Sequence, residues 1–333
     1  MEIAFILSYP RIVPTDGIVS QAYAWKNGLE QLGHTVTLIN MWETQNWTKY
    51  NAIVFFGFSE YMRETVNVLS KINPNLILAP IFDPNYSKLT LSTYAHWGND
   101  FLRLSNHYHA LYKAKGLFKR FLVRSEFEKV YLSDVFNIKK ELCKIVPLAY
   151  QVSPTLQNSQ REDFCLHISL LCDQRKNVKR LIDASIKYNF QLKLCGVLRN
   201  TEEEQLLSSW ISDHSNIEYL GYVTKEKMIE LYSKAKVFAL PSIYEGVGIV
   251  ALDAAAMGCD IVITKLGGPK EYYHGKAIEV DPYNTDEIGI AVKELIDGKT
   301  FQPELSELIH EKYSTATLSE LLSQTINNAI HEN

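Results

Sequence analysis

The sequence predicts an α/β protein built from two doubly wound, mostly parallel sheets. Three observations carry that expectation. At 333 residues the chain is longer than one typical domain and accommodates two. Short apolar runs alternate with helix-period segments along most of its length, as when parallel strands are joined by crossover helices. That alternation breaks at Pro147–Gln160, where Pro147, Pro154 and the polar Gln151–Ser153 and Gln157–Gln160 make a linker, and then it restarts.

Ile3–Leu7 reads as the first strand, followed by a loop over Ser8–Gly17 that contains Pro10, Pro14 and Gly17. Ile18, Ala22, Trp25, Leu29 and Leu32 recur at helical spacing, and Gly33 ends that helix. Thr35–Ile39, Asn51–Gly57 and Leu76–Pro80 read as strands, with a helix over Glu60–Leu69. Phe121–Arg124 and Lys144–Val146 are two further strands, joined by a helix from about Glu126. Beyond the linker, strands are expected at Phe164–Leu170, Gln191–Leu194, Ile217–Leu220, Val237–Leu240, Asp260–Thr264 and Ala277–Val280. Helices are expected at Val178–Tyr188, Glu202–Ser212, Lys225–Lys234, Val247–Met257 and Asp286–Ile296, and the tail from Pro303 reads as one or two more. The domains implied are 1–152 and 153–310, Rossmann-like and facing a cleft, with 311–333 a C-terminal helix packing back toward the first.

Composition is that of an ordinary globular protein, 46% hydrophobic and 22% charged. Cys143, Cys165, Cys172, Cys195 and Cys259 are scattered with no C-x-x-C pair, which points to a reduced, cytoplasmic compartment. Met1 and Glu2 run straight into strand-like sequence, so no secretory leader is expected, and no apolar run is long enough to suggest a membrane span. No G-x-G-x-x-G follows the first strand and no G-x-x-x-x-G-K-[ST] occurs, which argues against dinucleotide dehydrogenases and P-loop NTPases. There is no D-x-D and the histidines lack zinc-site spacing, so neither metal nor cofactor is expected. The net charge of −4 and the lack of a recognised motif disfavour nucleic acid.

The most informative stretch is Val237–Gly258. An apolar run stops at Pro241, Gly246 and Gly248 let the backbone approach a ligand, and an alanine-rich helix ends at Gly258. Glu245 lies in the loop and Asp253 in the helix. Free amides and the positive end of the helix dipole at the carboxyl end of a strand suit a phosphate.

Leu240-Pro-Ser-Ile-Tyr-Glu-Gly-Val-Gly-Ile-Val-Ala-Leu-Asp-Ala-Ala-Ala-Met-Gly258 resembles the E-x7-E block of family 4 glycosyltransferases, retaining enzymes of GT-B fold. Arg175-Lys-Asn177, Asn216-Ile-Glu-Tyr-Leu-Gly-Tyr-Val223, Gly267-Gly-Pro-Lys-Glu271, Val280-Asp-Pro282 and Leu32-Gly-His-Thr-Val36 follow that family's order, most closely from Phe164 to Pro282. The resemblance implies a retaining, metal-independent transferase that moves a sugar from a UDP- or GDP-sugar to a hydroxyl of a saccharide, on a lipid-linked glycan precursor. It implies that Arg175 and Lys176 contact the diphosphate, otherwise being a solvated helix start. Glu245, Gly246, Val247 and Gly248 lie at the donor sugar, with Glu245 beside the anomeric centre. Tyr222 and Val223 neighbour the base, and Asp253 accepts the ribose hydroxyls. Gly17 lets the first loop approach the phosphates or donor sugar, its other reading being a turn glycine. Three positions depart from the family. Asp253 replaces the usual Glu, Ser169-Leu170 stands where Gly-Arg is usual, and Asp83 lies where relatives carry a histidine near the acceptor. Asp83 would orient or deprotonate the acceptor hydroxyl, or else cap the turn before Pro84. Domain closure would exclude water.

Arg103–Lys144 carries ten basic and four acidic residues. Its aromatic stretch Tyr108–Leu122 reads either as a surface lying on anionic lipid or as a solvated helix whose aromatics pack inward. The runner-up function is a catalytically silent GT-B subunit that binds glycans or steadies a true transferase; a sugar-nucleotide epimerase is a third.

Overall fold

A computed structural model describes residues 1–7, 17–83, 86–97, 107–153 and 160–332. The expectations for the first loop over Ser8–Asp16, for Pro84 and Asn85, for Arg103 and for residues 154–159 of the linker lie outside those residues. The chain divides into two units, residues 1–148 with 315–333, and residues 149–314.

The first unit is built on β1 (Glu2–Leu7), β2 (Thr35–Leu38), β3 (Ala52–Phe56), β4 (Leu76–Ala79), β5 (Arg120–Val123) and β6 (Cys143–Ile145), all parallel in the order β2-β1-β3-β4-β5-β6. β3 and β4 are buried at every position, which is why they read as unbroken apolar runs rather than alternating ones. The crossovers include α1 (Gly17–Gln31), α2 (Glu60–Leu69), α3 (Lys88–His96), α4 (His107–Ala114) and α5 (Glu126–Phe136). Helix α3 was not anticipated. Only Leu91 and Ala95 of it are buried, a single i, i+4 pair too short to show as a stripe, though Ser87 caps it by accepting the Thr90 N–H at 3.2 Å.

The aromatics of the basic segment pack inward. Phe118 and Phe121 are core residues, and Tyr108, Tyr112 and Leu117 pack against the same core. Lys115 donates to the Phe136 carbonyl, leaving Lys113 the exposed cation of α4. The crossover must cover β4 and β5, and that demand takes the rings that an interfacial helix would have offered to lipid.

The second unit holds β7 (Glu162–Ile168), β8 (Gln191–Cys195), β9 (Ile217–Tyr219), β10 (Ala235–Leu240), β11 (Asp260–Thr264) and β12 (Ile278–Val280). These strands are parallel in the order β12-β11-β10-β7-β8-β9. Helices α6 (Val178–Tyr188), α7 (Thr201–Ile211), α8 (Lys225–Lys234), α9 (Ile249–Ala256), α10 (Thr285–Ile296) and α11 (Glu304–Tyr313) complete it. The order is that of a dinucleotide-binding sheet, in which direction reverses between the first and fourth strands, here β7 and β10. Both units are thus Rossmann-like sheets of the GT-B fold. Among the described residues no helix is long and apolar enough to cross a membrane.

Helix α12 (Thr315–His331) belongs to the first unit, where Ser323 bonds His34 Nε2 at 2.7 Å. Its contact with α1 depends on Gly28, where a Cβ would stand 1.9 Å from Ser319 Oγ. Gly28→Val should therefore destabilise the protein by about 1–3 kcal/mol through overpacking. Gly116→Ala, with open space at its Cβ, should stay within about 0.5 kcal/mol of wild type in the same urea titration.

Candidate functional site

The reversal of strand order leaves the loops after β7 and β10 side by side, and chain hydrogen bonds tie them together. Ile243 N–H donates to the Arg175 carbonyl at 2.8 Å. Asn177 Nδ2 donates to the carbonyls of Pro241 (2.9 Å) and Pro282 (2.7 Å), so one buried side chain joins the ends of three strands. Asn177 has φ 60°, the left-handed conformation asparagine tolerates, and from there the chain enters α6.

Lys176 and Glu245 form an ion pair across this seam, with side chains 14% and 11% exposed. Ser242 Oγ, fully buried, donates to the same Glu245 Oε2 at 3.4 Å. Arg175 pairs with Asp173 at 3.3 Å and lies over the Tyr244 ring, and the Asp173 side chain also accepts the Arg175 N–H at 2.9 Å. Arg180 donates to Asn177 Oδ1 at 2.7 Å and to the Pro282 carbonyl at 3.0 Å. No acidic residue lies in the first turn of α6, so cations gather where the helix dipole is itself positive. Arg175 and Lys176 already face carboxylates, whereas Arg180 and the helix start bond only neutral groups, and a phosphate would match that positive potential.

The glycines of the β10 loop differ in role. Gly248 takes φ 73° as N-cap of α9, and a Cβ there would lie 2.8 Å from Leu240 Cδ2. Helix α9 accordingly starts at Ile249, two residues beyond the expected Val247, whose side chain is buried. Gly267 has φ 79°, and a Cβ there would come within 3.1 Å of the Glu245 carbonyl, so the loop after β11 closes down on the Glu245 turn.

The histidine and serine ahead of the Arg175–Asn177 turn form a pair that sequence reasoning missed. His167 is fully buried, its Nδ1 2.8 Å from the Ala239 carbonyl and its Nε2 2.7 Å from Ser169 Oγ. A carbonyl only accepts, so Nδ1 carries the hydrogen and Nε2 accepts from the serine. Burial pushes the imidazole down to about 4, the Ala239 carbonyl opposing and Lys176 adding. Ser169 thereby spends its hydrogen on His167 and has none to donate to an anion. The signal available was a histidine inside an otherwise apolar strand.

Residues 158–313 match the family model for glycosyl transferases group 1. The match falls within the second unit, which is similar to group 1 glycosyl transferases. An uncharacterised glycosyltransferase of Methanocaldococcus jannaschii is 29% identical over 150 residues, 42% of this chain and 38% of that protein. The O-antigen chain mannosyltransferase B of Escherichia coli is 25% identical over 209 residues, 55% of this chain and 53% of the relative. The matches thus span about half or less of those relatives' length. Sucrose-phosphate synthase from Thermosynechococcus elongatus superposes with a TM-score of 0.74 at 15% identity, over 98% of each chain, a likeness of fold.

The sequence-derived residues do not all converge. Lys176, Arg175, Glu245 and Gly248 sit on the β7–β10 seam. Tyr222, 71% exposed, and Val223, partly buried, follow β9 at the far edge of the sheet. Gly246 is partly buried in the Glu245 turn. In the first unit Gly17 is exposed at the start of α1 with open space at its Cβ, and Asp83 follows β4. Asp253 is 4% exposed and its carboxylate accepts the Gln151 N–H at 2.5 Å, anchoring the chain at the start of the second unit to α9. Burial pushes the Asp253 carboxyl up to about 6, the Gln151 and Val152 amides and Lys225 opposing.

Between about pH 4 and pH 6 the folded protein therefore holds a proton on Asp253 that the unfolded chain has released. Its contribution to stability is complete below about pH 4 and is lost as pH rises through about 6. Asp253→Asn has no proton to lose. Its stability relative to wild type should rise between pH 4 and pH 7 by roughly 2–3 kcal/mol, read from paired denaturant titrations.

Proposed function

We propose that the chain is a retaining glycosyltransferase that moves a hexosyl group from a nucleotide sugar to a hydroxyl of a saccharide, with a lipid-linked glycan precursor as the acceptor class. The observation that carries the reading is the Lys176–Glu245 pair on the β7–β10 seam, at the crevice where α/β sheets of this strand order bind nucleotides. The mannosyltransferase among the relatives makes GDP-mannose the first donor to test, with UDP-hexoses beside it.

In this reading the departing diphosphate is stabilised by Lys176, Arg175 and the amides opening α6 and α9, with no metal required. Donor binding draws Lys176 from Glu245 toward the phosphates. Glu245 is then free to face the anomeric centre, where positive charge develops. Tyr222 and Val223 lie by the base, and Gly246, Val247 and Gly248 present backbone to the donor. Asp253 serves the ribose only by releasing the Gln151 N–H. Asp83 holds the acceptor hydroxyl, and the leaving phosphate takes its proton on the face from which it departed, which preserves anomeric configuration. A nucleotide-sugar donor sets the reaction on the cytoplasmic side, at the membrane's inner face when the acceptor carries a lipid.

The purified protein, incubated with GDP-mannose and a panel of UDP-hexoses plus saccharide acceptors in the presence of EDTA, should release nucleotide and form glycoside. Neither nucleotide binding nor product would overturn the reading. Glu245→Ala should lower turnover by about 10²–10³-fold while leaving the fold and GDP or UDP affinity largely unchanged by circular dichroism and calorimetry. Wild-type turnover in that variant removes Glu245 from the site.

A further inference from the structure

Behind Asp83, the first unit carries a buried pair, Arg124 and Glu128, that the reading above does not use. Arg124, directly after β5, is 6% exposed and bonds two carboxylates, Nε to Glu128 Oε2 at 3.0 Å, and Nη2 to Glu128 Oε1 at 3.2 Å and to Asp83 Oδ1 at 2.6 Å. The same nitrogen donates to the Phe82 carbonyl at 3.1 Å, and Glu128 Oε1 accepts the Phe82 N–H at 2.6 Å. Both backbone groups of Phe82 are thus held by one ion pair. Its ring is fixed as well, against Tyr108, Tyr131 and Phe136 at 5.5–5.8 Å between centroids.

The local sequence explains how Glu128 comes to be there. Ser125 caps α5 by accepting the Glu128 N–H at 3.1 Å, and the third helical residue reaches back to the chain before the cap, as in a capping box. Here it takes the Arg124 N–H at 2.7 Å and still has an oxygen for Phe82. Burial alone would lower the Arg124 guanidinium, but Asp83 and Glu128 reverse this and hold it above its ordinary range.

The cluster also sustains strain. Ile81 has φ 51°, a conformation that a β-branched residue adopts at a cost of about 1–3 kcal/mol. Buried ion pairs contribute little net stability against apolar replacements. Neither the strain nor the pair is therefore explained by stability. What they deliver is Asp83, whose side chain is 33% exposed just beyond the carboxyl end of β4, the edge at which parallel sheets bind ligands. One of its oxygens is engaged by Arg124, and among the described residues no hydrogen bond to the other is seen.

We infer that Arg124 is a positioning residue for the saccharide acceptor. Clamped by Glu128, it holds Asp83 so that the remaining oxygen accepts the hydrogen bond of the acceptor hydroxyl. The inference rests on the glycosyl-transfer reading above. It makes Asp83 a hydrogen-bond acceptor that orients the hydroxyl, in keeping with a reaction in which the leaving phosphate takes the proton.

The test uses the full chain, the donor and saccharide acceptor that wild type turns over, and calorimetry with GDP and UDP. Arg124→Met/Glu128→Gln removes both buried charges together and avoids stranding one of them. Folding is checked by circular dichroism. Acceptor kcat/KM should fall by about 10–100-fold, while nucleotide affinity stays within about twofold. Asp83→Ala should fall to a similar level, and adding it to the Arg124/Glu128 variant should cause no further loss, because Arg124 acts through Asp83. Should the double variant not fold, Arg124→Lys takes its place, keeping the charge but lacking the fork that reaches Glu128, Phe82 and Asp83 at once. Wild-type transfer in these variants, losses that multiply when combined with Asp83→Ala, or a parallel fall in nucleotide affinity would each overturn the inference alone. A wild-type chain that neither binds GDP or UDP nor transfers overturns the reading beneath it, before any variant is compared.

Discussion

The pairing of β7 with β10 is the constraint on which the second unit turns. Four more strands extend in opposite directions from that pair, so the crossovers on the two sides diverge and cannot cover the carboxyl ends between them. The loops left there must satisfy their own backbone groups, and Asn177 does so for two of them. Once that seam is stitched, Lys176 and Glu245 have little choice of partner and meet in a poorly solvated place. The ion pair is thus a consequence of topology before it is a device of chemistry.

Three carboxylates in this chain show how environment separates residues of one chemical type. Glu245 pairs with a lysine and a serine hydroxyl near the surface of its loop. Asp253 lies on the buried side of α9 with backbone amides for company and is pushed up to about 6 by burial. Glu128 is buried as deeply but stands against a guanidinium and two amides, so its charge is matched. Burial with dipoles alone opposes ionisation, whereas burial against a full opposite charge supports it. Spacing in the sequence treats Glu245 and Asp253 as a pair; the fold gives them different surroundings.

Much of the architecture was legible because parallel strands covered on both faces must be apolar throughout, and that leaves runs such as Ala52–Phe56 and Leu76–Ala79 in plain view. Helices with long stripes were equally visible: α6 was expected over the residues it occupies. Helix α3 was not, since two buried residues make no period. The aromatic basic segment carried two readings of equal composition, and packing against the first sheet selected the inward one for its rings. Arg175, Lys176, Glu245 and Gly248, which the fold brings to one seam, were singled out because their neighbours in sequence form a recognisable block. Arg124, Glu128 and His167 were not, because each acts on a partner set by the register of another strand or the path of another loop.

By itself the sequence determined the alternation of strands and helices, a break within Pro147–Gln160 and the block that opens α9, all of which depend on neighbours a few positions apart. The tertiary structure decided which strand ends lie together, which cation meets which carboxylate, and that Asp253 faces Gln151 across an interval of 102 residues. Contacts at such separations are set by strand order and packing, and no local pattern of residue types records them.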